Sequence, residues 1–146
     1  FEVVVEAYEK IEGLADKKNI AFENKISSAF ILGDKSSLVE LFVILLDNAV
    51  KYSEKDSKIE IEVEDKQGKV SIKIRDHGIG IKASDLPHIF ERFYRADSSR
   101  AKDKVNGYGL GLSLAKQITD LHNGEIFVKS AVGKGTQFSI KLPSAK

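Results

Sequence analysis

The sequence predicts an α/β sandwich, a mixed and mostly antiparallel sheet with helices packed on one face. Three observations predict it. First, "KIEIEVED" and "KVSIKIRD" alternate apolar with charged residues across the short turn Lys66-Gln67-Gly68, which is the pattern of an antiparallel hairpin with one buried face. Second, "EIFVKS" and "TQFSIKL" repeat the pattern, turning through Gly133 and Gly135. Third, three other segments carry the apolar spacing of amphipathic helices, and no long run of parallel crossovers interrupts them.

The elements follow in order. Residues 2 to about 18 place Val4, Ala7, Tyr8, Ile11, Leu14 and Ala15 on one helical stripe. "IAFENKI" alternates through Ile20, Phe22 and Ile26 and reads as a short strand; the apolar run "AFIL" then stops at the turn signal Gly33-Asp34. The most strongly patterned helix runs from about Ser36 to Tyr52, with Leu38, Leu41, Phe42, Leu45, Ala49 and Tyr52 toward the core. Ser36 or Ser37 can cap its start, and Glu40 three residues after Ser37 suits a capping box. Asn48 stands at the border of the stripe, one turn from Ile44 and from Lys51, an expensive place for an amide without partners. After the first hairpin, "LPHIFERF" spaces Leu86, Ile89, Phe90 and Phe93 as a short helix that docks both phenylalanines into the core. A polar stretch from Arg95 to Asn106 leads to "GYGLGL", which opens the helix "SLAKQITDLH"; Asn123-Gly124 is a suitable C-cap. With 146 residues and neither repeat nor linker, one domain covering residues 1–146 is expected.

Composition bounds the chemistry. Hydrophobic residues make up 42% and charged residues 31%, an ordinary globular balance. A net charge of +1 gives no global field for nucleic acid or anionic membrane, so neither partner is expected. The absence of cysteine excludes disulfides, thiolate zinc sites and thiol nucleophiles. His77, His88 and His122 show no metal-ligand spacing. The longest apolar stretch, Phe42 to Leu46, is far short of a membrane span, and no signal peptide stands out. A chain that opens on Phe1 and has no methionine is expected to be part of something longer.

Three motifs carry chemistry, each with two readings. Gly107, Gly109 and Gly111 precede a helix, where free N–H groups and the dipole suit phosphate, yet glycines equally make a plain turn. Leu112 occupies the third glycine position of a dinucleotide fingerprint, and no P-loop occurs. "RDHGIGI" ends a strand on Asp76 before Gly78 and Gly80. It is either an Asp-containing turn or an acceptor at the base of a pocket, selective for a donor such as an exocyclic amine. The stretch after Phe93 sets Arg95, Arg100, Lys102 and Lys104 against Asp97 and Asp103, as a solvated loop or a basic lid over phosphates.

Taken together and in this order, the motifs resemble those of the catalytic and ATP-binding domain of sensor histidine kinases in two-component systems, within the wider GHKL superfamily. "LLDNAVKYS" resembles that family's N box, "DHGIGI" its first glycine box, "IFERFYRAD" its F box and "GYGLGLSLAK" its second glycine box, with "GKGTQFSI" similar to the usual closing strand. The resemblance covers nearly the whole chain. It implies a Bergerat-type ATP-binding fold, with ATP and Mg²⁺ as ligands. Asp76 would accept the adenine amine, supported by Thr136; Gly78 and Gly80 would admit the purine, and Tyr52 would line the base or ribose wall. Asn48 would offer its carbonyl to Mg²⁺, Lys51 and Arg95 would position the phosphates, and Gly107, Gly109 and Gly111 would bring N–H groups to them. Phe93 and Leu110 complete the expected nucleotide-binding set, and no residue is identifiable as an acid or base catalyst. The implied partners are a dimerisation and histidine-phosphotransfer hairpin of the same parent, to which residues 1–18 could connect, and the receiver domain of a response regulator. The implied location is cytoplasmic, in a parent that could be membrane-anchored, with no membrane contact by this domain.

Two departures stand out. The family's acceptor motif, a histidine followed by an acidic residue and L-R-T-P, is absent. Ile44 stands where histidine kinases usually carry another asparagine and hydrolytic relatives a glutamate; isoleucine can neither ligate metal nor activate water. It speaks against a gyrase-, chaperone- or mismatch-repair-type ATPase, whereas the F box and the long basic stretch favour a histidine kinase over an anti-sigma-factor serine kinase. The alternative from another class is a degenerate nucleotide-sensing or docking module.

Overall fold

Alternation of apolar and charged residues becomes strand, and apolar spacing of three to four becomes helix, along most of the chain. The computed structural model describes residues 2–94 and 111–145. Its elements are α1 (Glu2–Lys17), β1 (Ala21–Ile26), α2 (Lys35–Tyr52), β2 (Lys58–Lys66), β3 (Lys69–Asp76), α3 (Gly111–Leu121), β4 (Glu125–Ala131) and β5 (Gly135–Pro143). Among the described residues a 3-10 turn, Leu86–His88, lies between β3 and α3.

The five strands form one sheet in the order β1-β2-β3-β5-β4. Only β1 with β2 is a parallel pair; the other three pairs are antiparallel, so the mixed, mostly antiparallel sheet is as expected. Gln67 and Gly68 both sit at positive φ, 55° and 79°, the geometry of a two-residue primed turn that matches strand twist. That turn pairs Lys66 with Lys69 and puts Ile61 opposite Ile74 and Val63 opposite Ile72 on the buried face. Phe138, Ile140 and Leu142 continue this apolar face on β5. Glu60, Glu62, Lys73 and Arg75 point the other way, into water, where Lys73 approaches Glu62 at 3.8 Å.

Helix α2 is buried on more sides than its stripe predicts. Val39, Leu46 and Val50 are buried along with Leu38, Leu41, Phe42, Leu45 and Ala49, because α1 packs on one flank of α2 and α3 on another, above β3. Helix α1 also reaches β1, with the Tyr8 and Phe22 rings edge to face at 4.9 Å. Leu14, placed on the α1 stripe by spacing, is exposed.

Both ends of α2 are held by other parts of the chain. Its N-cap is Asp34, not Ser36 or Ser37: Asp34 has the extended backbone a cap requires, and its Oδ2 accepts from the Ser37 N–H at 2.9 Å and from the Ser37 hydroxyl at 2.7 Å. Ser37 is therefore already inside the helix, and it cannot head a capping box with Glu40. These bonds hold the exposed Asp34 carboxyl below its ordinary pKa. The Asp34 N–H in turn donates to His122 Nε2 at 3.2 Å, while His122 Nδ1 donates to the Ile118 carbonyl at 2.8 Å. At the other end, Lys18 Nζ donates to the carbonyls of Val50, Lys51 and Ser53 at 2.9, 2.8 and 2.9 Å, a cation where the helix dipole is negative. Helix α3 closes with Asn123 in the left-handed region and the Gly124 N–H donating to the Thr119 carbonyl at 2.9 Å.

Lys18→Met keeps the aliphatic stem but leaves three carbonyls at the α2 terminus without their cation. We expect a loss of about 1–2 kcal/mol, read as a lower urea midpoint with an unchanged slope.

Candidate nucleotide site

Strand β3 carries Asp76 at its last position, on the same face as Ile72 and Ile74. Period-two alternation thus sets a carboxylate at the edge of the core, where it is only 4% exposed. Its Oδ1 accepts from the Gly78 N–H at 2.9 Å and the Thr136 N–H at 3.1 Å. Both bonds fall on one oxygen, and among the described residues no buried side-chain oxygen lacks a partner, so Oδ2 keeps contact with solvent. Burial pushes the Asp76 carboxyl up from its ordinary pKa, opposed by the Gly78 and Thr136 N–H groups and by His77. The outcome is a largely buried acceptor with one oxygen outside these two bonds.

The chain around this carboxylate is packed backbone against backbone. A methyl on Gly78 would lie 2.0 Å from the Tyr52 carbonyl oxygen, and the next residue, Ile79, donates its N–H to that same oxygen at 3.2 Å. Gly80 is at φ 76°, and a methyl there would lie 2.0 Å from the Ala131 carbonyl. Only glycine satisfies both positions. Thr136 is buried beside Asp76, and its support comes through the backbone N–H; its hydroxyl lies 2.8 Å from that of Ser130. Tyr52, half-buried at the end of α2, stands directly behind Gly78.

Further back along α2, the other predicted residues lie on a half-buried border of the helix. Asn48 is half-buried and is not a stranded core amide. Lys51 is largely buried and pairs with Asp47 at 2.9 Å, one turn before it. Ile44 is partly buried against the core and lies at contact distance, 3.7 Å, from the position of a methyl on Gly111, the first residue of α3. Asn48, Lys51, Tyr52, Asp76, Gly78, Gly80, Gly111 and Thr136 therefore all lie on α2, the β3 end, the α3 start and the β5 start. Arg95, Gly107, Gly109 and Leu110 lie outside the described residues.

Phe93 departs from its expectation. Phe90 is half-buried with its ring edge-on to Phe138 at 6.2 Å, and Ile89 is buried, but Phe93 is 65% exposed with the Arg92 guanidinium 5.6 Å from its ring. Helical spacing cannot be projected that far, because the 3-10 turn ends at His88 and Phe93 itself adopts φ 64°. The segment is instead tied down by the Tyr94 hydroxyl, which donates to the buried Asp85, and by stacking of Tyr94 on His88 at 5.3 Å.

Sequence reasoning missed three residues here. Asp47 holds Lys51. Gly135 presses on the Asp76 carbonyl, 2.2 Å from where its methyl would be. Ser130 accepts from the Ile81 N–H at 2.7 Å and donates to the Gly135 carbonyl at 2.9 Å. A serine at an inward position of an otherwise apolar strand face was the available signal. Among the described residues no cluster of three His, Cys, Asp or Glu side chains could hold a metal. A cavity of about 230 Å³ near Val3, Phe30, Leu38 and Phe42 lies at the far end of α2 from Asp76.

A match to the family of histidine kinase-, DNA gyrase B-, and HSP90-like ATPases covers residues 33–146. The chain belongs to this family. It is an ATP-binding domain of this kind. It is 45% identical over 126 residues to the sensor histidine kinase YkoH of Bacillus subtilis, across 86% of the chain and 27% of that relative. It is 43% identical over 133 residues to the sensor protein CiaH of Streptococcus pneumoniae, across 90% of the chain and 30% of the relative. The fold matches the mycobacterial sensor histidine kinase MprB with a TM-score of 0.85 at 30% identity, over 98% of this chain and 94% of that one. The chain spans less than a third of the length of these curated relatives. Among its described residues no helix is long and apolar enough to cross a membrane.

The raised pKa of Asp76 gives a signed expectation. The folded chain binds a proton there more tightly than the unfolded chain. Asp76 therefore costs nothing at acid pH, where both states are protonated, and it destabilises increasingly as pH rises from the ordinary carboxylate range through the raised value. Asp76→Asn keeps an oxygen for the two N–H groups and removes the ionisation. Thermal melts from pH 4 to 8 should show its stability gain over the wild type growing with pH, while ADP affinity falls about a hundredfold.

Proposed function

We propose that this chain is the catalytic domain of a sensor histidine kinase, which binds Mg-ATP and donates the γ-phosphoryl group to a histidine on a separate dimerisation hairpin of the same parent protein. The observation that carries this reading is the buried Asp76 at the end of β3, with one oxygen held by two backbone N–H groups and the other outside those bonds. Resemblance to sensor kinases along most of the chain supports it.

Asp76 accepts the adenine amine through Oδ2, beside the loop of Gly78 and Gly80. Tyr52 lines the wall between base and phosphates. Lys51 supplies a point charge to the phosphates, exchanging or sharing its contact with Asp47. Arg95 and the N–H groups of Gly107, Gly109 and Gly111 complete the phosphate end, with Leu110 between them and Phe93 at its margin. Mg²⁺ fits this donor set only alongside a nucleotide: a single protein oxygen on Asn48 suffices for an ion that keeps waters and shares phosphates. When bound it would neutralise phosphate charge and fix the geometry of transfer. Asn48 would hold it, and Ile44 would contribute no ligand. The neutral imidazole of the acceptor needs no strong base from this domain. The phosphorylated histidine would then serve a response-regulator receiver domain, and the domain would work in the cytoplasm without contacting membrane or nucleic acid.

Calorimetric titration with ADP and a non-hydrolysable ATP analogue, with and without Mg²⁺, tests the pocket. Both should bind, and Mg²⁺ should tighten the analogue. Asn48→Ala should abolish that tightening and leave metal-free ADP binding within about threefold, as expected for loss of a metal ligand alone. Ile44→Asn should alter Mg²⁺ dependence more than metal-free affinity; equal effects would refute the assigned geometry. Phosphate transfer from ATP to a supplied histidine hairpin then tests the kinase reading. Binding without any transfer would favour a nucleotide-sensing module instead.

A further inference from the structure

Three strands end side by side at the Asp76 corner, and there the helix-facing row of the sheet turns polar. Ser130 on β4 pairs in register with Thr136 on β5. The β3–β5 register runs to Arg75 opposite Gln137, so Asp76 follows beside Thr136, whose N–H it accepts at 3.1 Å. The Ser130 hydroxyl has three neighbours. The Ile81 N–H lies at 2.7 Å, the Gly135 carbonyl at 2.9 Å and Thr136 Oγ1 at 2.8 Å.

A hydroxyl has one proton and two lone pairs. The Ile81 N–H can only donate, and the Gly135 carbonyl can only accept. The Ser130 hydroxyl is placed to donate to the Gly135 carbonyl, and with its proton there the contact with Thr136 is a hydrogen bond in which Thr136 is the donor. That uses the one proton of Thr136 and leaves its oxygen nothing but lone pairs for a ligand.

We propose that Ser130 is a positioning residue for base recognition. It polarises Thr136 into a pure acceptor, so that the corner reads adenine and rejects guanine. This rests on the nucleotide reading above. Adenine offers an amine donor with a ring-nitrogen acceptor beside it. Thr136 can take a proton from the amine directly, or from a water that gives its second proton to the ring nitrogen. Guanine in the same pose presents a carbonyl oxygen and a ring N–H, the reverse pattern, against two acceptors. A Thr136 free to rotate would donate to that carbonyl and blunt the discrimination. Ser130 touches neither base nor phosphate; it acts by fixing a proton on its neighbour.

The test is the ratio of ADP to GDP affinity, measured by calorimetry on this chain. Variants are Ser130→Ala and the shape-matched pair Ser130→Thr, which keeps the hydroxyl, and Ser130→Val, which lacks it. Wild type and Ser130→Thr should prefer ADP strongly. Ser130→Ala and Ser130→Val should narrow the preference about tenfold, the effect of one misdirected hydrogen bond. A merely structural role would weaken both nucleotides together and leave the ratio unchanged, which would overturn the proposal. The Thr/Val comparison keeps the test intact if Ser130→Ala fails to fold. A wild type that binds ADP with a ratio insensitive to position 130 sinks this inference alone. A wild type that binds neither nucleotide sinks the nucleotide reading, and this inference with it.

Discussion

A carboxylate taken out of water must be repaid in hydrogen bonds, and the corner of this molecule is arranged around that requirement at Asp76. Two backbone N–H groups meet on Oδ1, from residues 60 positions apart in the chain for Thr136 and two for Gly78. Bringing them there forces Gly78 under the Tyr52 carbonyl, Gly80 against Ala131 and Gly135 onto the Asp76 carbonyl, contacts too close for any Cβ. The glycines therefore do more than make turns. They allow three stretches of main chain to pack closely around the Asp76 corner, two of which donate to one carboxylate oxygen. Because the donors are backbone, no side-chain rotamer has to be ordered at the moment a ligand arrives.

The proposed phosphate side depends on α2, and α2 is positioned by its neighbours at both ends. His122 at the end of α3 accepts the N–H of the Asp34 cap, and Lys18 after α1 caps the last carbonyls. Between those anchors the helix is packed against α1, α3 and β3, so it can neither slide nor roll without breaking several contacts at once. Asn48, Lys51 and Tyr52 inherit that fixed register. The two halves of the site meet where the Tyr52 carbonyl accepts from Ile79, which makes the end of the helix and the glycine loop one body.

Local pattern made much of this legible. Alternation located both hairpins and put Asp76 on the buried face, and helical spacing located α1, α2 and α3. What was not legible arose from competition or from distance. Asp34, Ser36 and Ser37 are all good caps by residue type, and only the extended backbone of Asp34 decides among them. Val39, Leu46 and Val50 fall outside the stripe of a one-sided helix, and they are buried because α2 has neighbours on several sides. Phe93 lies one turn beyond where the local helix stops. Lys18 acts on carbonyls 32 to 35 residues away, and Ser130 on an N–H 49 residues away; no window of sequence contains such pairs.

Ile44 shows how the two sides of the site differ in tolerance. At the base end, one added methyl at Gly78 or Gly80 would collide with main chain, so those positions admit no exchange. At the phosphate end, Ile44 sits at ordinary contact distance from the start of α3 and joins the partly buried residues packed against the core. An isoleucine there brings no polar atom that needs a partner. On the proposed reading it forgoes a second oxygen near Asn48, which a Mg²⁺ ion that keeps its own waters would not require. The position is thus structurally an α2–α3 contact and chemically optional. The two positions differ in what a substitution meets: main chain at Gly78 and Gly80, and a side chain at ordinary contact distance at Ile44.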